Sequence, residues 1–322
     1  MAKQETSLMA YAGSLTAAVE QKVAGMLADK RLDLPADYSA NNALKAMQLA
    51  VMQTEDRNKR PALEVCTKES IIECMLSMVV QGLNPAKKQC YPIVYGNKLT
   101  LFRSYFGAMA VAKRVDPTIK EINASVVYKN DTIKSHKSNG KLIIDTHEQD
   151  MLHMDKSDLV GAYATVVYMD GTTESDFRTF DQIKQAWKQS IIHPVDDKGN
   201  IKEGTTHDKF TEDMCLRTVI NRVCKKIINS SSDESIVAQY AKATQAEMDM
   251  AEADETIMLD ANTGEIIDID EIEEVEVVEL APAEEQAAAD ETETEAEPAK
   301  KRGRKPKEET ATEIEPEQME LA

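Results

Sequence analysis

Apolar residues recur every three or four positions in three segments of the first quarter of the chain, which predicts three helices. The first two segments are "SLTAAVEQKVAGMLADKR" (14–31) and "SANNALKAMQLAVMQT" (39–54). Ser39 stands where a side-chain oxygen commonly caps a helix. In the third segment, "TKESIIECMLSMVVQGL" (67–83), Thr67 precedes the apolar run and Gly82 follows it. Thr67 can cap this helix and Gly82 can end it, so both of its ends are marked.

The next segment changes to the alternating period of a β-strand. "YPIVY" and "KLTLF" are separated by Gly96-Asn97, a two-residue loop that predicts a hairpin and fixes its register. One face is then predicted to carry the pairs Tyr95 with Lys98, Ile93 with Thr100, and Tyr91 with Phe102. The other face is apolar and is predicted to face the core; it carries Pro92, Val94, Leu99 and Leu101. Because Pro92 has no N–H, strand 91–95 is predicted to be an edge.

The rest of the chain up to residue 240 alternates helical and strand-like patterns. "SYFGAMAVAKR" (104–114) is predicted to be a helix. Strands are predicted in "EINASVVYKND", "TIKSHKSNGKLIIDTHE" and "LVGAYATVVYMDGTTESDFRTF", with turns at 138–140 and 170–171, and together they form an antiparallel sheet. A short helix capped by Asp181, a long polar loop (193–209) and a closing helix (211–229) follow. The predicted fold class is α+β, an antiparallel sheet with a β-hairpin packed against helices, followed by a disordered acidic C-terminal tail.

Charge divides the chain near residue 240. Residues 1–240 contain 31 Lys and Arg and 30 Asp and Glu, a net charge of +1, whereas residues 241–322 contain 7 and 27, a net charge of −20. From residue 271 onward aromatics are absent and Glu, Ala, Thr and Pro dominate, a composition that cannot bury enough apolar area to fold. The predicted domains are therefore a core, 1–240, and a disordered tail, 241–322.

The tail contains one basic segment, "KKRGRKPK" (300–307), with six basic residues in eight. It resembles the minor-groove hook, in which a Gly-Arg pair enters narrow A·T tracts. Lys305 separates Arg304 from Pro306, a departure from the Gly-Arg-Pro core of the hook. A nonspecific phosphate contact, or a patch that folds back on its acidic neighbours, is the alternative.

Cysteine and histidine spacing indicates neither disulfides nor a metal centre. The five cysteines are predicted to be reduced and mostly buried; they are Cys66, Cys74, Cys90, Cys215 and Cys224. The five histidines are predicted to be ordinary surface residues; they are His136, His147, His153, His193 and His207. No apolar leader and no run of about 18 apolar residues occurs, so the protein is predicted to be cytoplasmic and away from membranes.

One segment, 84–114, has an unusual composition for so acidic a chain. It holds six Lys or Arg and five of the fifteen aromatics, and it has no Asp or Glu. Flat rings stack on bases and cations neutralise phosphates, so this mixture suits single-stranded nucleic acid. The alternative is that the rings are packing residues and the lysines a solvated edge that blocks strand addition.

The closing helix has an apolar face and a basic face. Leu216, Val219, Ile220, Val223 and Ile227 form the apolar face. Arg217, Thr218, Asn221, Arg222 and Lys225 lie opposite, with Lys226 at the border. Taken alone, this pattern is more typical of a solvated face than of a binding face.

The sequence is also compatible with two further function classes. Asp145, Glu148 and Asp150 could bind Mg²⁺ in a DNA nuclease, although they lie apart from the basic segment. A nucleoid or regulatory protein that acts through the basic segment of the tail is the second alternative. The sequence lacks the G-x-x-x-x-G-K-[ST] phosphate loop, so it indicates no ATP motor, and no cofactor or catalytic residue is predicted.

Three blocks carry a resemblance to a known family: "GLNPAKKQCYPIVYGNKLTLFRSYFGAMAVAKR", "GAYATVVYMDG" and "HDKFTEDMCLRTVINRVCKKI". Over roughly residues 10–235 the chain closely resembles the RecT family of phage and prophage single-strand annealing proteins. The resemblance implies an α+β annealing core whose subunits form rings or helical filaments along DNA. It also implies activity without ATP, a partner exonuclease that exposes the strands and, as a further candidate partner, a host single-strand binding protein.

The two basic blocks of the family coincide with the two basic segments isolated above. The resulting candidates for DNA contact are Lys87, Lys88, Tyr91, Lys98, Arg103, Tyr105, Phe106, Lys113, Arg114, Arg217, Asn221, Arg222, Lys225 and Lys226.

Overall fold

A computed structural model describes residues 2–150, 154–189, 194–232 and 235–251. Its first elements are α1 (Ala2–Ala28), α2 (Ala40–Gln53), α3 (Ala62–Val65) and α4 (Lys68–Val80). Both predicted caps are confirmed, because Ser39 Oγ accepts a hydrogen bond from Asn42 N and Thr67 Oγ1 accepts one from Ser70 N, each at 3.3 Å. Helix α1 begins earlier than its pattern predicted, and α3 was not predicted.

The hairpin has the predicted register. Strands β1 (Cys90–Tyr95) and β2 (Lys98–Arg103) pair Tyr95 with Lys98 and Tyr91 with Phe102. The apolar face packs on the core as predicted, with Pro92, Leu99 and Leu101 buried and Val94 half-buried. The opposite face is also largely buried, since Ile93, Thr100 and Phe102 have little exposure. The interpretation of that face as an open binding surface therefore does not hold in this structure.

Helix α5 (Tyr105–Val115) leads into a five-stranded antiparallel sheet. Its strands are β3 (Ile119–Tyr128), β4 (Thr132–Ser138), β5 (Lys141–Glu148), β6 (Leu159–Tyr168) and β7 (Thr173–Thr179). The strand order is β3-β6-β7-β5-β4, so the β6–β7 hairpin inserts between β3 and β5. Strand β5 meets β7 at Leu142, opposite Ser175, and the β4–β5 hairpin forms an arm at the sheet edge. The predicted antiparallel sheet is confirmed.

Within the described residues, four helices follow the sheet: α6 (Phe180–Gln189), α7 (Thr206–Lys209), α8 (Thr211–Ser230) and α9 (Ile236–Ala251). The predicted cap of α6 was wrong. Thr179 Oγ1 accepts from Gln182 N and Gln182 Oε1 accepts from Thr179 N, each at 3.3 Å, which is a reciprocal capping pair. Asp181 lies in the first turn of α6, where its carboxylate pairs with Lys184 at 2.9 Å.

Two large hydrophobic clusters form the interior. The first joins α1, α2, α4 and the inner face of the hairpin, and it includes Leu15 and Met75. The second lies between the sheet and helices α5, α6 and α8, and it includes Ile183. Helix α5 belongs to both, because Val111 packs in the first cluster and Ala112 in the second. The position of α5 is therefore fixed from two sides.

Helix α9 crosses the boundary at residue 240 that charge and composition predicted. Val237, Ala238 and Ala241 are buried. Thr244 Oγ1 lies 3.1 Å from Ser77 Oγ and accepts a hydrogen bond from Gln81 Nε2 at 2.8 Å. The core thus continues past residue 240 because α9 packs on it, and α8 does not close it. The predicted tail from residue 252 onward, including 300–307, lies outside the described residues.

All five cysteines are free and buried, as predicted. The prediction of surface histidines was wrong for two of them. His207 is buried against the Trp187 ring at 4.7 Å between centroids, and burial lowers its pKa to about 4. His147 is largely buried between Asp131 Oδ2 and Tyr163 Oη, each 3.0 Å from a ring nitrogen. His153 and His193 lie outside the described residues.

Candidate nucleic-acid interface

A shallow groove of about 490 Å³ runs between the turn that precedes β1 and the outer face of α5. The residues that line it are Lys87, Lys88, Gln89, Phe106, Met109, Ala110 and Lys113. None of these seven described residues is acidic. The groove brings together four sequence-predicted site residues, three lysines and a phenylalanine that is 47% exposed.

The wall that carries Lys87 and Lys88 is a short, strongly hydrogen-bonded turn. Asn84 Oδ1 accepts from Ala86 N at 2.9 Å, and Gln89 Oε1 accepts from Asn84 N at 3.0 Å. Lys88 has a φ of 54°, the left-handed region that is uncommon for residues other than glycine. These bonds hold the turn in a conformation that lysine adopts rarely.

Ser104 ties this turn to α5. Its Oγ accepts from Gly107 N at 3.2 Å, which caps α5, and donates to the Lys88 carbonyl at 2.6 Å. A Cβ at Gly107 would overlap the Gln89 carbonyl oxygen and would lie 3.0 Å from its carbon. Glycine is therefore required where the helix approaches the turn, and this approach forms the groove.

The second wall of the groove is one face of α5. Its residues are spaced three or four positions apart, as on one face of a helix. They are Phe106, Met109, Ala110 and Lys113. Tyr105 lies beside Phe106 with 4.0 Å between ring centroids, and it packs against the second hydrophobic cluster. Phe106 therefore presents a supported ring to solvent, while Tyr105 is half-buried.

Arg114 does not line the groove. Its guanidinium packs over Gly82, and Nη2 donates to the Asp33 carbonyl at 2.6 Å. Burial lowers the pKa of Arg114. In this conformation Arg114 joins α5 to the segment after α1.

Arg103 is interior, contrary to its interpretation as a solvent-facing contact. It is 4% exposed, with Nη1 donating to Gln81 Oε1 at 3.0 Å and Nη2 to Gln245 Oε1 at 2.8 Å. Its Nε has no hydrogen-bond partner among the described residues. Burial lowers the pKa of Arg103 to about 10. The sequence missed this burial because it placed α9 in the tail.

The other hairpin candidates also face α9. Tyr91 and Phe102 stack with 6.1 Å between centroids and an interplanar angle of 22°, and Met248 packs against their cluster. Lys98 is exposed at the rim of a cavity of about 580 Å³ between α4, β2 and α9. Glu73 and Glu247 line the same cavity, so Lys98 lies in acidic rather than basic surroundings.

Three of the four cations on α8 are paired with carboxylates. Arg222 Nε lies 3.0 Å from Asp176 Oδ2, and Lys226 Nζ lies 2.6 Å from Glu174 Oε1. Lys225 Nζ lies 2.7 Å from Asp249 Oδ2. The sequence showed the basic face of α8 but not its acidic partners on β7 and α9. Arg217 and Asn221 are half-buried.

Two further cations, Lys141 and Arg178, join the pairs between α8 and β7. Lys141 Nζ lies 3.1 Å from Glu174 Oε2, and Arg178 Nη2 lies 3.2 Å from Asp176 Oδ1. Burial acts to raise the pKa of Glu174, but hydrogen bonds from Lys226 and Lys141 outweigh it, so this pKa lies below its usual value. Four cations thus share the two carboxylates of Glu174 and Asp176.

The carboxylates of the nuclease alternative lie on and just after the β4–β5 arm. Asp145 Oδ2 is 3.0 Å from His136 Nδ1. In the part of the chain that the structure describes, no group of three or more His, Cys, Asp or Glu side chains is placed to hold a metal ion. Within the same residues, no helix combines the length and apolar character needed to cross a membrane.

Comparison with known families matches residues 42–259 to the RecT family. This span is more than half of the chain, and it includes the turn, the hairpin, α5, the sheet, α8 and α9. No curated protein matches the chain. Members of the family bind single-stranded DNA, oligomerise and anneal strands in recombination. The chain belongs to the RecT family of single-strand annealing proteins.

Proposed function

We propose that this protein holds single-stranded DNA in the groove between the turn at Lys87 and Lys88 and the face of α5, and that it anneals complementary strands without ATP. The observation that carries the proposal is the groove itself. It places three lysine side chains around one exposed ring, Phe106, and none of its described lining residues is acidic.

The chemistry of the groove fits a strand of any sequence. Lysine ammonium groups bind phosphates as point charges and release counterions, so affinity falls with salt. Stacking of a base on Phe106 contributes roughly 1–3 kcal/mol and works with every base. The protein therefore positions the first strand and neutralises its phosphates, and the second strand recognises the base sequence by pairing.

Annealing follows if the strand is held by its phosphates with its base edges open. A second strand then tests those edges by Watson–Crick pairing, and a correct match remains as duplex. One groove of this size contacts few nucleotides, so adjacent copies in a ring or helical filament would extend the site along DNA. The proposed partners are an exonuclease that exposes the strands and a host single-strand binding protein. The proposed place of action is the cytoplasm, and the proposed mechanism uses no cofactor.

The test uses two labelled complementary oligonucleotides of about 30 nucleotides, with EDTA and without ATP. We expect the full chain to bind one strand and to speed annealing. Replacing both Lys87 and Lys88 by Glu should abolish both activities. A single reversal of either lysine should weaken binding, while Lys129→Glu, a single reversal at an exposed lysine in the turn after β3, should not. Phe106→Leu, which keeps an apolar side chain but removes the ring, should weaken binding by less than the double reversal.

Three outcomes would contradict the proposal. Normal strand binding by the Lys87 and Lys88 double variant would show that the DNA site lies outside this groove. Cleavage of the strands on addition of Mg²⁺ would support a nuclease. A preference for intact A·T duplex that is lost when residues 300–307 are deleted would support a protein that acts through its tail.

A further inference from the structure

The two halves of α9 differ in how they contact the core. The first half is anchored by buried apolar residues, and it ends at Thr244, which is 2% exposed and hydrogen-bonded to Gln81. The second half, residues 245–251, lies over the outer face of the hairpin and beside α8. Its contacts there are made by the polar side chains of Gln245 and Asp249 and by Met248.

Gln245 and Asp249 bridge two cations from different parts of the fold. Arg103 Nη2 donates to Gln245 Oε1 at 2.8 Å, and Gln245 Nε2 donates to Asp249 Oδ1 at 2.9 Å. Lys225 Nζ donates to both oxygens of Asp249, at 2.9 and 2.7 Å. Side-chain oxygens of α9 therefore accept hydrogen bonds from a hairpin arginine and an α8 lysine at once, as the oxygens of a backbone phosphate would.

Arg103 is poorly matched to its present partners. The two acceptors of its guanidinium are neutral amide oxygens, and its Nε has no partner among the described residues although the side chain is buried. A buried guanidinium is better stabilised by an anion that accepts two parallel N–H bonds. A phosphate group meets that requirement and the Gln245 amide does not.

The same half of α9 covers two rings. Met248 packs against the cluster of Ile93, Phe102 and Tyr91, and its Sδ accepts from Arg103 N at 3.4 Å. Removal of Met248 would expose a stacked pair of rings next to Arg103. Arg103 directly precedes Ser104, whose Oγ holds the Lys88 wall of the proposed groove. The covered face is thus continuous in sequence with the groove.

We infer that Arg103 and Lys225 form a second phosphate site for single-stranded DNA, which residues 245–251 of α9 occupy in the unbound protein. The inference rests on the proposed function, because the ligand is the same strand. Asp249 competes with a phosphate for Lys225, and the strand must displace the second half of α9 to reach Arg103 and the rings behind it. Helix α9 therefore weakens binding of short or poorly held strands.

The first experiment removes the competing charge without removing the side chain. Asp249→Asn is compared with Asp197→Asn, which makes the same change of net charge on an exposed loop. Affinity for a labelled oligonucleotide is measured by anisotropy at low and at near-physiological salt. We expect Asp249→Asn to tighten binding about 1.5- to 5-fold at low salt, the range that an exposed ion pair supports, and less at higher salt. Asp197→Asn should have a smaller effect.

A double-mutant cycle ties the effect to Lys225. If Asp249 acts by occupying Lys225, Asp249→Asn should leave the affinity unchanged in a Lys225→Ala background. Equal tightening in both backgrounds would contradict the inference, because it would show a general effect of charge. Melting of each variant establishes that the core remains folded, and hydrogen exchange of residues 236–251 establishes that α9 has not simply unfolded.

The second experiment uses the unmodified full chain. Hydrogen exchange of the backbone amides of residues 245–251 should become faster when the oligonucleotide saturates the protein, while exchange of residues 236–244 should not. If the strand binds but these amides exchange as slowly as before, and Asp249→Asn behaves like Asp197→Asn, α9 is a permanent part of the fold and the inference fails alone. If the unmodified chain binds no strand, the proposed function fails and the inference fails with it.

Discussion

Gly107→Ala tests whether the close approach of α5 to the neighbouring turn builds the groove. The added Cβ would overlap the Gln89 carbonyl oxygen and would lie 3.4 Å from Leu83 Cδ2. The oxygen belongs to the backbone, and Gln89 O already accepts from Ser104 N at 3.1 Å, so it cannot rotate away as a flexible side chain would. The turn and the helix must therefore move apart.

The expected magnitude is a balance of two opposing effects. Overpacking a close contact costs typically about 1–3 kcal/mol. Alanine favours a helix interior over glycine by about 0.8–1.0 kcal/mol, and by less in the first turn, where Gly107 lies. We therefore expect a net loss of about 1–2 kcal/mol in the free energy of unfolding, or roughly 2–8 °C in melting temperature for a core of this size. Affinity for single-stranded DNA should fall as well, because the Lys87 and Lys88 wall moves away from Phe106.

Gly13→Ala is the matched control. Gly13 lies within α1, and apart from its chain neighbours and the nearby backbone of α1 no described heavy atom lies within 4 Å of where its Cβ would be. The same substitution should there stabilise the protein by up to about 1 kcal/mol and leave DNA binding unchanged. Urea unfolding and oligonucleotide anisotropy on both variants provide the comparison. A Gly107→Ala protein that is as stable as the Gly13→Ala protein, with unchanged affinity, would refute the reasoning.

Four further predictions follow from the same contacts. Replacing Lys87 and Lys88 by Ala should make the slope of log affinity against log salt shallower by about 1.4, measured by anisotropy across a salt series, and an unchanged slope would argue against phosphate contact. Arg103→Ala should lower the free energy of unfolding by about 1–3 kcal/mol in urea titrations, because it leaves buried amide oxygens unpaired; a purely surface role predicts no loss. Because the pKa of Glu174 is lowered, its contribution to stability is complete above its usual value near 4.3 and is lost as pH falls below it, so Glu174→Gln should show less acid destabilisation than the unmodified chain in urea midpoints between about pH 6 and pH 3. Deleting residues 252–322 should tighten strand binding at low salt while leaving α9 in place. If the full chain and the deletion variant bind the strand equally well at low salt, and again at high salt, the tail has only a spacer or docking role.

The hairpin was predictable in detail because its register is local. A two-residue loop allows one pairing, and the alternation of apolar residues then assigns the core face. The second face was harder, because Ile93 and Phe102 are apolar on a surface that also carries Tyr95 and Lys98. Whether such a face is open depends on what covers it. The helix that covers this face is α9, and its Met248, which contacts Arg103, lies 145 residues after Arg103 in the sequence.

Helix α9 was missed because charge was averaged over the whole tail. The segment "IVAQYAKATQAEMDMA" has its own apolar spacing, with Val237, Ala241 and Thr244 on the buried side. Its net charge is small compared with the segments after it. A shorter window at the composition change would have separated this helix from the tail.

The candidate site was predictable in composition but only partly in arrangement. Phe106 and Lys113 share a helix face by their spacing, and Lys87 and Lys88 are brought to them by the hairpin, so this group emerged from local patterns. Arg222 and Lys226 pair with carboxylates of β7 that lie 46 and 52 residues away in the sequence. The order of the strands in the sheet also depends on pairings between distant segments. Such nonlocal contacts leave no signal in a single sequence.

The position of α5 between two hydrophobic clusters has a thermodynamic consequence. Val111 packs in the first cluster and Ala112 in the second, so α5 is held in its present position only when both clusters are formed. A chain in which either cluster is open lacks the wall that carries Phe106 and Lys113. A strand bound in the groove would then select the complete fold, and saturating oligonucleotide would raise the melting temperature of both clusters together by mass action.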